Sequence, residues 1–193
     1  MELAKGPLRD LLLFISVTVC FHFLYWNTNM NQWLFGIYTN DVFDFFTRIA
    51  YKGTTILSDL FIGKDFDKEG LSLNFYDINS LGKKDYICRM RIVEDCSGIK
   101  QIFQVLLIMM VAPNKLWKRL IYFLISIPVV IFFNIVRISS LTAILVYYPN
   151  NYTFIHDWIG RPFHYVIIFF IWVIWMEFFV RGKEKIRAKK ESC

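Results

Sequence analysis

The chain has 193 residues, of which 56% are hydrophobic and 19% aromatic, including 20 phenylalanines. Only 20% are charged, and the charges gather in blocks between apolar runs, which excludes an ordinary soluble domain and makes a bilayer the natural solvent. The net charge of +6 sits in short flanks of those runs, a distribution that belongs to membrane topology and not to a nucleic-acid-binding face. Four cysteines without a C-x-x-C pair exclude a zinc ribbon, a thioredoxin-type site and a disulfide mini-scaffold.

The first apolar run, residues 11–26, follows Lys5 and Arg9 and is not succeeded by a small-residue cleavage site. It is expected to be an uncleaved anchor with its N-terminus inside. The segment 27–96 is expected outside, interfacial or extracytoplasmic. Within it, Val42, Phe45, Phe46 and Ile49, then Ile56, Leu57, Leu60 and Phe61, recur at helical spacing on either side of Gly53, which predicts amphipathic helices in the membrane interface. Asp44, Arg48, Lys52 and Asp59 argue against the alternative of two half-crossings there. From Lys64 to Asn79 the composition turns polar, with Gly70 and Gly82 as turn points, and Tyr86 to Val93 suggests a short strand.

Further spans are expected over residues 97–113, 120–148 and 163–180, followed by a basic cytoplasmic tail over 181–193. The fold class is therefore an all-α polytopic membrane protein of about four transmembrane helices, a single integral membrane domain over 1–193. Basic residues support the alternation: Lys5 and Arg9, then Lys115, Lys118 and Arg119, then six from Arg181 onward all fall inside. Residues 64–96 carry six basic and seven acidic side chains, near balance, as an exported segment can.

An ionisable group within a spanning segment costs at least ~2.5 kcal/mol on insertion scales, so each is a functional candidate by default. Arg137 lies 18 residues beyond Arg119, about 27 Å up a helix and near the outer edge of the core, with Asn134 on the same face. The plainer reading has Arg137 snorkelling to headgroups and Asn134 bonding a neighbouring helix. Cys96, in Glu94-Asp95-Cys96-Ser97-Gly98-Ile99, sits before a predicted helix whose N-terminus favours a thiolate, while Glu94 and Asp95 oppose it. A Cys88–Cys96 disulfide is the structural alternative. His156 in the 149–162 loop and His164 just inside the last span are both placed to serve as a base; His22 in the first span is expected to be a plain interhelical contact. On this topology Cys96, Arg137 and one histidine share an outer depth on three spans, offering a nucleophile, an oxyanion-stabilising cation and an acid and base.

The Glu-x-Cys-Ser-Gly-Ile run ending in Ile99, the Asn134-Ile135-Val136-Arg137-Ile138 run, and His156 four residues before Gly160 resemble, in order and spacing, the signature blocks of the exosortase and archaeosortase family. The resemblance covers roughly residues 90–175. It implies a polytopic cysteine transpeptidase or peptidase acting on exported proteins that carry a C-terminal motif, membrane helix and basic cluster. Carried over, it makes Cys96 the nucleophile, Arg137 the transition-state cation and His156 the acid and base, with Asn134 a substrate-binding candidate. His156 in place of arginine implies a bacterial, inner-membrane member, a short one, with its site on the extracytoplasmic side. The implied partners are those exported proteins, membrane lipids and an amine, glycan or lipid acceptor, with no nucleic acid; no cofactor is implied and no metal is needed.

Other classes fit less well. A non-catalytic membrane subunit would use Arg137 and Asn134 as helix glue. A quinone-linked thiol oxidase usually needs a C-x-x-C pair, a rhomboid-like protease needs Gly-x-Ser-Gly, and a lipid phosphatase needs more basic groups outside than Arg161.

Overall fold

The computed structural model describes residues 7–27, 40–78 and 83–181. The expected turn at Gly82 and the basic tail past Arg181 lie outside the described residues. Helices dominate, and three helical stretches are long and apolar enough to cross a bilayer: Leu8–Tyr25, Leu116–Tyr147 and Pro149–Val180, with mean hydropathies of 1.6, 2.2 and 2.0. The protein is a multi-pass helical membrane protein. The run expected to span over 97–113 is helical only from Ile99 to Val111, about 20 Å at 1.5 Å per residue and short of a ~30 Å core. It ends before Pro113, and Asn114 leaves the helix with φ 136°.

The chain forms two compact units. The first comprises Met1–Asn40, Gln101–Pro128 and Ile168–Cys193. It contains helix α1 (Pro7–Asn27), most of α3 (Ile99–Val111) and the start of α4 (Leu116–Tyr147). Asp10 lies in the first turn of α1, where the helix dipole favours a carboxylate. Phe14, Phe21 and Tyr25 form its buried stripe, and Leu12, Ile15, Val19 and Phe23 face outward, which costs nothing where lipid is the solvent. Aromatic faces hold this unit together. Phe14 packs on Phe169 and Trp172 with centroids 5.5 and 5.1 Å apart, Phe21 on Phe103 at 6.0 Å, and Trp175 stacks on Phe179 at 4.8 Å. Tyr122 keeps its hydroxyl satisfied by donating to the Ile171 carbonyl at 2.8 Å. Arg119 donates to the Met110 carbonyl at the end of α3, a cation on otherwise orphaned helix acceptors.

The second unit comprises Asp41–Lys100 and Val129–Ile167. Its first element, α2 (Asn40–Phe61), runs unbroken through Gly53, where two helices had been expected. The reason is tertiary: a Cβ at Gly53 would come within 2.5 to 2.9 Å of the Ile135 side chain, so the glycine lets α4 approach and does not mark a turn. Three stripes run along α2. Thr47, Ala50, Thr54 and Ser58 are buried; Val42, Phe45, Ile56 and Leu60 are exposed and apolar; Asp41, Asp44, Arg48, Lys52 and Asp59 are exposed and charged. That pattern suits a helix with protein, lipid and water on three sides.

A three-stranded antiparallel sheet follows, ordered β1 (Asp65–Glu69), β2 (Ser72–Ile78), β3 (Lys84–Arg91). Only a strand near β3 had been expected. Glu69 pairs with Ser72, so Gly70 and Leu71 form a two-residue loop, and Gly70 at φ 59° occupies the position that a type II′ turn gives to glycine. Leu73 and Phe75 are 0% exposed and Ser72 is also buried; Phe75 pairs with Phe66 on one side and Cys88 on the other. Leu73 and Phe75 make the core of this unit with Ala50, Ile62, Met90, Ile92, Ile138 and Val146, and Cys96 and Cys88 are partly buried against it.

The segment expected to be an outer loop, 149–162, is helical throughout. Proline at the first position starts a 3-10 turn at Pro149–Asn151. It leads into α5 (Tyr152–Ile155), a wide π-type turn at His156–Gly160, and α6 (Arg161–Ile174). The missing N–H of Pro162 falls where the wide turn has already interrupted the regular ladder, so it does not end the helix. His156 thus sits on a helical turn and not in a loop.

Candidate active site

Cys96 closes a short 3-10 turn, Glu94–Cys96, between β3 and α3. Its backbone N–H donates to the Val93 carbonyl at 2.8 Å, and Ser97 N–H to Glu94 at 2.9 Å. Gly98 then adopts φ 83°, a left-handed conformation that other residues reach only with strain. Asn134, one per cent exposed, donates its side-chain amide to the Cys96 carbonyl at 2.7 Å. The same amide nitrogen lies 3.2 Å from where a Gly98 Cβ would be, so glycine and asparagine fit one another. Asn134, expected at the substrate, bonds the turn that carries Cys96. Ser97 is buried, and its Oγ accepts from Ile99 N–H at 3.4 Å. Asp95, which had been expected to oppose a thiolate, is paired with Lys100 at 2.8 Å.

Cys88 and Cys96 are both free. Cys88 pairs with Phe75 across the sheet, and burial pushes its thiol up from the usual cysteine value, a poor setting for a nucleophile. Of these two thiols, Cys96 is the one placed among polar groups.

Arg137 projects from α4 into the space next to Gly160. Its Nε would be 3.4 Å from a Gly160 Cβ, so the glycine leaves room for the guanidinium. Cys96, Tyr152 and Arg161 are the groups that act on Arg137 electrostatically. Among the described residues Arg137 has no carboxylate partner, whereas Arg161 reaches Asp157 at 3.4 Å and Lys100 reaches Asp95. A cation left uncommitted beside a thiol is suited to receive developing negative charge.

His156 is bonded through Nδ1 to Asp157 Oδ1 at 2.9 Å, so the neighbouring carboxylate does orient it. Its ring stacks on Tyr152, centroids 5.7 Å apart and planes 27° from parallel. Tyr152 interacts electrostatically with Cys96, Arg137 and Asp157, which makes it the residue between the thiol–guanidinium side of the site and the histidine–aspartate side. Among the described residues no hydrogen bond joins His156 to Cys96 directly. His164 is 4% exposed, in the first turn of α6, with Nε2 buried and without a partner. His22 is in α1, in the first unit.

Sequence reasoning named Cys96, Arg137, Asn134 and both histidines but missed Tyr152. Its signal was the four-residue spacing to His156, which becomes informative only once 152–160 is helical. No group of three or more histidine, cysteine or carboxylate side chains that could hold a metal occurs among the described residues.

Residues 85–173 match the family described as transmembrane exosortase (Exosortase_EpsH). No curated protein and no solved structure matches the chain. The matched segment contains Cys96, Asn134, Arg137, Tyr152, His156 and His164, all of them in the second unit. The residues that build the site thus lie within the segment that matches, and the match supports the chain as an exosortase-family member.

Proposed function

We propose that the protein is a membrane-embedded cysteine transpeptidase or peptidase that cleaves C-terminal sorting signals of exported proteins at the outer face of a bacterial cytoplasmic membrane. The observation that carries the reading is Arg137, a guanidinium without a carboxylate partner among the described residues, held beside Gly160 in the same unit as Cys96 and within its electrostatic reach. A cation in that position serves no local ion pair and fits a site where charge appears during reaction.

In this reading the Cys96 thiolate attacks the scissile carbonyl, and the electron pair displaced onto oxygen is stabilised by Arg137. Collapse of the tetrahedral intermediate breaks the C–N bond and leaves a thioester. His156, held by Asp157, donates the proton that the leaving amine needs. The histidine then takes a proton from the incoming acceptor, an amine, a hydroxyl or water, which attacks the thioester, breaks its C–S bond and releases the Cys96 thiolate, with the histidine again protonated. Asn134 and Gly98 hold the turn that presents Cys96. The substrate is an exported protein with a C-terminal motif, a membrane helix and a basic tail; the acceptor is an amine, glycan or lipid.

The experiment compares, by mass spectrometry in the native cell, the C-termini of surface proteins in wild type and in a Cys96→Ala strain with matched expression. Proteins that keep a C-terminal helix and basic tail only in the variant are the expected result. Coincident profiles would overturn the enzyme and leave a non-catalytic membrane subunit as the better account.

A further inference from the structure

His164 and Arg137 are two buried groups with the same deficiency. The His164 ring is 4% exposed, and its Nε2 has no hydrogen-bond partner. The Nε of Arg137 is also buried and has none. A buried polar atom without a partner is costly, so a pair of them on facing elements calls for an explanation.

Their chemistry is complementary. The remaining His164 ring nitrogen interacts with the backbone of Gly160, one turn earlier. In the neutral tautomer that this contact selects, the proton is on the nitrogen facing the Gly160 carbonyl and Nε2 is a bare acceptor. Arg137 Nε is a donor in every state. Gly160 brings the two together: its missing side chain leaves Arg137 Nε 3.4 Å from its Cβ position, and Arg137 is the charged side chain that acts on His164.

We propose that His164 is a positioning residue that accepts a hydrogen bond from Arg137 Nε through one bridging water, and so aims the guanidinium at Cys96. This deepens the reading of Arg137 as the site's cation and rests on it. It also separates the two histidines by role. His156, half-exposed and oriented by Asp157, handles protons; His164, enclosed, handles the arginine. Other charged and titratable groups at the site include Tyr152 on α5, Arg161 on α6, and Glu94 and Asp95 on the turn of Cys96, the last paired with Lys100.

The test reads the positive charge beside Cys96 without a substrate. The full-length protein in membranes is treated with iodoacetate, an anion, and with iodoacetamide, its neutral isostere, and alkylation at Cys96 is followed by peptide mass spectrometry. The ratio of the two rates reports a nearby cation. General loosening of the structure changes both rates together and leaves the ratio alone. Arg137→Gln and His164→Ala are each expected to lower the ratio about threefold or more, the scale of a charge displaced in a wet site. The double variant should fall no further than Arg137→Gln alone, and His164→Gln, which keeps an acceptor, should stay near wild type. An unchanged ratio in His164→Ala or in Arg137→Gln, or single-variant effects that multiply in the double, would overturn the proposal. Coincident C-terminal profiles in the Cys96→Ala comparison would remove the enzyme reading while leaving this coupling measurable, so the two failures are distinguishable.

Discussion

The two units answer the same solvent in different ways. The first places large aromatic faces against one another, and its polar bonds finish turns and helix ends: Asn114 to the Phe179 carbonyl at 2.8 Å, Arg119 to Met110, Tyr122 to Ile171. In the second, beside similar bonds to helix carbonyls such as Thr142 to Ile138, polar contacts converge on the candidate site. Asn134 holds the Cys96 carbonyl, Asp157 holds His156, and Tyr152 stacks on that histidine. A damaged contact in the first unit should therefore cost stability, while a damaged contact in the second should cost chemistry in a protein that still folds. The difference teaches that in a membrane, where burial of apolar surface discriminates little between helices, the location of coupled polar groups is the better guide to a site.

The sharpest way to break that comparison is at Gly98. Alanine there must hold φ near 83° and place its Cβ 3.2 Å from the Asn134 amide, so the turn carrying Cys96 has to move. A shift of about 1 Å at a reacting group costs on the order of a hundredfold in rate. Gly98→Ala is expected to reach the membrane at normal levels and to lose C-terminal processing by about that factor. Normal processing in this variant would mean that the turn is not part of the machinery.

The converse change is Trp175→Ala. Trp175 is 0% exposed, between Tyr122 at 5.1 Å and Phe179 at 4.8 Å. Truncating such a residue in a soluble core costs about 3–5 kcal/mol; here the cost should be at or below the lower end, because lipid competes for the same apolar surface. Thermal or denaturant unfolding in detergent should show this loss. The iodoacetate-to-iodoacetamide ratio at Cys96 should stay at the wild-type value in the molecules that remain folded. A fall in that ratio would show that the first unit sets the site's charge, against the division drawn here.

What was legible beforehand followed the same division. Long apolar runs announce α1, α4 and the terminal helix because composition alone decides them; Arg137 stands out as a charge within such a run, and Cys96 and His156 through their places at the ends of expected spans. The segment 149–162 was read as a loop between spans, and its helix was not foreseen; Gly160 within it is there to admit Arg137, a contact made with a residue 23 positions away. Gly53 misled for the same reason, its partner being Ile135. Strand β1 was obscured because Asp65, Asp67, Lys68 and Glu69 face solvent, leaving Phe66 as its one inward apolar residue. In each case the local signal was real, and a long-range contact gave it a different meaning.

The smallest expected effect lies at the margin of the second unit, and it separates the sheet from the site. Lys64 donates to Asp77 Oδ1 at 2.7 Å, joining the start of β1 to the end of β2, and this bond holds the Asp77 carboxyl below its usual range. A carboxyl whose folded value is depressed stabilises the fold above its unfolded value, near ~3.9, and that contribution disappears as pH falls through the lower folded value. The sheet should therefore be insensitive to pH from neutrality to about 5, then loosen with further acid. Both groups are solvated, so the effect should be small, about twofold in the hydrogen-exchange rates of β1 amides, and weaker at high salt. Lys64→Met should remove this acid limb while leaving alkylation of Cys96 at neutral pH unchanged. If instead the substitution altered Cys96 reactivity at neutral pH, the sheet would have to be counted among the elements that position Cys96, because β3 leads directly into the turn that carries it.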